Sequence, residues 1–185
     1  MFLSGRNNQF KFEFPRIFIP KEIADRYRPY INRIPGSMIK EPIDLLNYTI
    51  QSINLPGPSY DPVSQIDFPG NSRSFKSAQP FQQNYDRQLN VTCKAVDGYV
   101  NYWMCIEIFN YYYSLGGNKN LYVPSPVGIQ MLDAEGNNIV TAHLDQIIFN
   151  AVGALDLNFS SNTIEFQTFE LNFTYNILDI KFNIV

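Results

Sequence analysis

The chain has 185 residues, of which 45% are hydrophobic, 15% aromatic and 17% charged, with a formal net charge of −3. This length lets one domain bury about 70% of its unfolded surface without help from a metal or a disulfide, and the deficit of Lys and Arg excludes a strong grip on nucleic acid, which needs a basic face. Charged residues fall below the ~25% usual for soluble domains, so a chain this rich in Phe and Tyr is expected either to be covered over much of its surface by partners or to be sparingly soluble, the first being favoured.

Residues 1–8 lack the basic start and apolar run of a signal peptide, and no stretch reaches the ~20 apolar residues of a membrane span. The expectation is a protein made and kept in the cytoplasm, with no membrane partner. Cys93 and Cys105 are too few for a disulfide scaffold and are not in C-x-x-C spacing, so buried free thiols are expected. The Asn-x-Ser/Thr tripeptides at Asn47, Asn90, Asn158 and Asn172 read as accidents of an Asn-rich chain.

Phe10, Phe12 and Phe14 alternate with Lys11 and Glu13, the period of a half-buried strand, and Pro15 ends that strand or confines it to an edge. From Pro20 to about Pro58 prolines recur, Arg26, Arg28 and Arg33 cluster, and the runs 21–27 and 42–53 look helical. In the second run Pro42 suits a first helical position and Ile43, Leu46, Ile50 and Ile53 keep helical spacing, while its Thr and Ile content also admits a strand. Leu55 to Pro62 is a loop by composition, and 71–84 is polar and aromatic without clear period.

Leu89, Val91, Cys93 and Ala95 alternate with polar residues and predict a strand over 89–96. At Asp97-Gly98 the period changes to 3.6. Tyr99, Tyr102/Trp103, Ile106, Phe109/Asn110 and Tyr113 mark one face of a helix that Gly116-Gly117 stops, and this aromatic stripe is expected to face the core.

Beyond Pro126 the chain reads as β. Val127, Ile129 and Met131, the turn residues Asp133 to Asn138, and a strand over 139–149 make a hairpin. Leu155, Leu157 and Phe159 alternate before a turn at Ser161-Asn162. The run 164–175 changes parity near Thr168, as a bulge or a change of buried face would produce. Leu178, Ile180, Phe182 and Ile184 form a last strand, with Asp179, Lys181 and Asn183 opposite. The sum is one domain over 1–185, mainly β, a β-sandwich or small barrel with one flanking helix and an inserted irregular and helical region at about 20–58.

Catalytic patterns are sparse. His143 is the single histidine, and neither a G-x-S-x-G elbow nor a phosphate-cradling glycine loop is present. Carboxylates such as Glu165 with Glu170, or Asp156 with Asp145, read as the solvated faces of strands. The expectation is no enzyme, no metal and no cofactor. The arginine cluster could meet single-stranded nucleic acid, but the net charge favours pairing with acidic neighbours.

The strand 89–96, the helix 99–115, the hairpin Val127-Gly-Ile-Gln-Met-Leu-Asp-x-x-Gly136, the stretch Phe149-Asn-Ala-Val-Gly-Ala-Leu-Asp-Leu157 and the closing Ile164-Glu-Phe-Gln-Thr-Phe-Glu-Leu-Asn-Phe-Thr-Tyr175 together resemble the tail tube proteins of contractile-tailed bacteriophages. The likeness covers about 89–178, with a weaker one at the first strand and the Leu55-Pro-Gly loop. The resemblance implies hexameric rings whose inner strands form a continuous β-barrel, stacked into a hollow tail tube of the virion through which phage DNA is ejected. Its implied partners are further copies of the chain, tail sheath, baseplate and tail terminator proteins, with DNA passing unbound and assembly in the host cytoplasm. It implies lumen-facing positions, for which Asp156, Asn158, Glu165 and Gln167 are candidates, and a ring-stacking loop, for which Leu55, Pro56, Gly57 and Tyr60 are candidates. The decorated span 20–58 departs from the pattern and keeps open a tube-like baseplate initiator or neck component. A monomeric β-sandwich binding module, taking carbohydrate on exposed Tyr and Trp103, is the alternative from another class.

Overall fold

A computed structural model describes residues 9–33, 39–55, 63–66, 74–77, 87–113, 122–124, 126–155, 157 and 166–183. Among the described residues there are ten strands: β1 (Phe10–Glu13), β2 (Ile50–Asn54), β3 (Val63–Ile66), β4 (Ser74–Ser77), β5 (Gln88–Lys94), β6 (Val127–Leu132), β7 (Asn138–Asp145), β8 (Ile148–Val152), β9 (Thr168–Thr174) and β10 (Ile177–Phe182). Three helices join them: α1 (Lys21–Ile31), α2 (Pro42–Thr49) and α3 (Val100–Tyr113). The strands form two four-stranded antiparallel sheets, in the orders β1-β6-β7-β10 and β2-β5-β9-β8, and a separate hairpin β3-β4.

Period-two patterning decides which face each sheet buries. In the first sheet Phe12 lies opposite Ile129, which lies opposite Ala142, and Val127 lies opposite Leu144; all five are buried. In the second, Leu89, Val91 and Cys93 meet Phe173, Leu171 and Phe169 across β5 and β9, again all buried. An aromatic chain ties the sheets together. Phe14 stacks on Phe18 with ring centroids 4.5 Å apart, Phe149 stacks on Phe173 at 4.7 Å, and Phe14 meets Phe173 at 5.6 Å.

The helix α3 lies over the second sheet, with Tyr102 edge-on to Phe169 and Phe109 edge-on to Phe149. Its buried residues are Asn101, Met104, Cys105, Ile108 and Tyr112, so the expected stripe is offset. Tyr102 and Phe109 pack partly against the core, whereas Trp103, Asn110 and Tyr113 are exposed, Trp103 at 55%. The pattern misled because the helix is apolar nearly all round, so its period does not discriminate one face. The buried Asn101 is what breaks the apolar rule. Its carboxamide oxygen accepts from the Val96 N–H at 3.0 Å, and its nitrogen donates to the Lys94 carbonyl at 2.8 Å and to Thr49 Oγ1 at 3.3 Å.

Other expectations shift at their boundaries. The run 42–53 is helix only to Thr49 and strand from Ile50, so both readings of it hold in sequence. The stretch without period contains β4, paired with β3. The expected strand over 139–149 is two: β7 ends at Asp145, Gln146 takes a positive φ of 52°, and β8 continues in the other sheet. The parity change near Thr168 is the start of β9, with Phe166 exposed before it. Leu155 and Leu157 lie outside any strand and Leu157 is exposed; Phe159, the turn at Ser161-Asn162, Gly116-Gly117 and Ile184 lie outside the described residues.

The hairpin turn between β6 and β7 follows its sequence. The Asp133 carboxylate accepts from the Asn137 side-chain amide at 3.0 Å and from the N–H groups of Asn137 and Glu135, both at 2.8 Å, which holds the carboxyl below its ordinary value. Gly136 supplies the positive φ of 89° that the turn requires.

Candidate assembly surfaces

The second sheet has one buried and one polar face. The register places Asn54, Asn90 and Asn172 in one row, Ser52, Thr92 and Glu170 in the next, and Lys94 with Thr168 in a third. Thr174 adds a fourth row with Gln88, and the Asn150 amide donates to its hydroxyl. Among the described residues this face is mostly amides and hydroxyls, with one cation, one carboxylate, and Ile148 and Ala151 of β8 beside Thr174 and Asn172. Lys94 turns its ammonium over the ring of Phe166, 3.3 Å from the centroid.

Of the expected lumen positions, Gln167 is half-buried just before β9, and its carbonyl accepts from the Ala95 N–H at 2.8 Å. Asp156, Asn158 and Glu165 lie outside the described residues. Of the expected stacking loop, Leu55 directly follows β2 and packs against the core, whereas Pro56, Gly57 and Tyr60 lie outside the described residues. The expected lumen positions, the polar faces of the closing hairpin, do not include the row Asn54, Asn90, Asn172, although the strict alternation within 88–94 marks Asn90 and Thr92 as one face.

The edges of both sheets carry the second feature. Among the described residues β1 and β10 bound the first sheet, and β2 and β8 bound the second. An open groove of about 1370 Å³ runs between the edges of β1 and β2, with Phe10, Phe12, Ile43, Ile53 and Met131 in its wall. At the far edge β10 exposes Ile177, Ile180 and Phe182, the last at 68%. Ile180 and Phe182 were expected to be the buried face of the last strand. They stand on that face in register with Ala142 and Val140, but the strand projects beyond what the second sheet and the helices cover.

The clustered arginines find partners within the chain. Arg26 donates to the Glu107 carboxylate at 2.8 Å and Arg28 to Asp25 at 2.6 Å, while Arg33 lies 5.5 Å from the centre of the Tyr30 ring. Among the described residues no three His, Cys, Asp or Glu side chains come together as a metal site. His143 is half-buried on the first sheet, between Gly128 and Asp179 in register. Cys93 and Cys105 are free and buried, and burial pushes the Cys93 thiol up to about 12 and Cys105 well above its ordinary value. No helix among the described residues is long and apolar enough to cross a membrane.

No protein-family model and no characterised sequence matches the chain. Solved structures do. A chain of the anti-feeding prophage baseplate, from a 6-fold symmetrised cryo-EM structure, is similar over 98% of this chain and 97% of its own, at 14% identity and a TM-score of 0.54. A chain of an extracellular contractile injection system sheath-tube complex covers 74% of this chain and 80% of its own, at 16% identity and a TM-score of 0.47, and an Hcp protein covers 94% and 97% at 13% and 0.41. The first of these shows the fold: the chain shares its overall architecture with that baseplate chain over nearly the full length of both.

Proposed function

We propose that the chain is a non-catalytic structural subunit that assembles with copies of itself into six-fold rings of a tail tube or of a tube-like baseplate component. The observation that carries this reading is the pair of sheets whose edge strands pair with no further strand among the described residues, one edge grooved and apolar and another exposing apolar side chains. A lone monomer would leave these edges open to aggregation, and ring closure removes them. The near-complete overlap with a baseplate chain favours the tube-like baseplate reading as the second form of the same function.

In this reading the amide and hydroxyl face of the second sheet lines the lumen, and Asp156, Asn158, Glu165 and Gln167 are further lumen-facing positions. A lumen poor in cations lets DNA pass without binding, since counterion release needs Lys and Arg. Leu55, Pro56, Gly57 and Tyr60, which follow β2, contact the next ring. Sheath, baseplate and terminator proteins are the outer and axial partners in the virion or a related particle. Sedimentation of the purified protein across a wide concentration range tests the reading: ring- and tube-sized species growing with concentration are expected, and a monomer at every concentration would refute it.

A further inference from the structure

We propose that β10 of one copy adds to β1 of a second copy as an antiparallel strand, with Ile180 opposite Phe10, Leu178 opposite Phe12 and Asp179 opposite Lys11, and that its apolar side chains fill the groove between β1 and β2. This rests on the self-assembly reading and gives it one joint and one register.

Backbone groups fix which residues can meet. The Leu132 N–H donates to the Gln9 carbonyl, so the odd residues of β1 spend their backbone groups on β6 and Phe10 and Phe12 point theirs outward. The Asn183 N–H donates to the Ile139 carbonyl, so Leu178, Ile180 and Phe182 of β10 point theirs away from β7. The outward groups of both edges therefore belong to apolar residues of one face. Three successive antiparallel pairings make β10 run opposite to β1, and a rotation that preserves strand direction brings them together antiparallel.

Charge selects the register. Across the first sheet Lys11, Gln130, Thr141 and Lys181 form one row, and Glu13, Gly128, His143 and Asp179 form the next. Continuing these rows unshifted into a second copy would set Lys181 against Lys11 and Asp179 against Glu13, and like charges directly opposite destabilise. A shift of two residues one way sets Lys181 against Glu13, but it needs the outward groups of Phe14, which Asn47 already holds. The shift the other way sets Asp179 against Lys11. In that register Ile177, the first residue of β10, meets Glu13, the last of β1, so the pairing ends where Asn47 takes over.

The occupant of the groove follows. Leu178, Ile180 and Phe182 of the added strand stand on the face of Phe10 and Phe12, over the space bounded by Ile43, Ile53 and Met131.

Paired cysteines test the joint. Lys11 and Asp179 are exposed and the native thiols are buried, so the Lys11→Cys/Asp179→Cys variant keeps the fold. Across the proposed joint these positions form a non-hydrogen-bonded pair with Cα atoms about 4.5 Å apart, within disulfide reach. Oxidising the concentrated protein should give a ladder of covalent oligomers on a non-reducing gel, several-fold stronger than that of Lys11→Cys/Lys181→Cys or Glu13→Cys/Lys181→Cys. A stronger ladder from either control overturns the register. Rings or tubes in the microscope without a ladder from any pair overturn the joint while self-assembly stands. A wild-type chain that stays monomeric overturns self-assembly and the joint with it.

Discussion

The side-chain amide of Asn47 grips both backbone groups of Phe14: its oxygen accepts the Phe14 N–H at 2.8 Å and its nitrogen reaches the Phe14 carbonyl at 3.4 Å. A residue of α2 thus takes the place of a neighbouring strand at the end of β1, 33 positions away in sequence. The same contact ties α2 to the aromatic stack through Phe14 and Phe18.

Asn47→Ala removes that grip and leaves the Phe14 N–H half-buried. The expected loss is about 1–3 kcal/mol for an orphaned backbone group, read as a lower midpoint in urea with an unchanged slope.

Asn101 satisfies three polar groups in two segments, 94–96 and the end of α2, from a fully buried position. Asn101→Ala orphans the Val96 N–H and the Lys94 carbonyl together and is expected to cost about 3 kcal/mol. Calorimetry should show a Tm lower by roughly 6–12 °C. An Asn101→Ala protein as stable as the wild type would remove this site from the account.

Trp103 and Ile108 separate the expected face of α3 from the observed one. Ile108→Ala opens a cavity in the core and should cost about 2–5 kcal/mol. Trp103→Ala should leave stability within about 0.5 kcal/mol, as surface changes do. Acrylamide should quench the single tryptophan of the monomer as freely as a surface indole.

The buried thiols predict an alkaline weakness. Desolvation raises the folded pKa of Cys93 to about 12 and holds that of Cys105 well above its ordinary value, against about 8.5 for an unfolded thiol. The unfolded chain therefore releases these protons first, so their contribution is whole below about pH 8.5 and falls as pH rises toward about 12. Urea midpoints measured from pH 7 upward should decline above about pH 8.5, and Cys93→Ala should flatten the decline.

Much of the fold is legible in the sequence where one face of a strand is buried and the other wet. Phe10 to Glu13, Leu89 to Lys94 and Val127 to Met131 fall where alternation puts them. The sequence misleads where both faces of an element are apolar, as in α3, or where tertiary context breaks a continuous run, as at Gln146. For the candidate site, the alternation within β5 made its polar face readable. The apolar overhang of Ile180 and Phe182 was not readable, because their period is that of a buried strand and only the packing leaves them bare.

The account stands most directly on end-on electron micrographs of the concentrated wild-type protein. It predicts closed six-fold rings with a central hole, stacked into tubes or single layers. Uniform small particles without a hole at every concentration would contradict it.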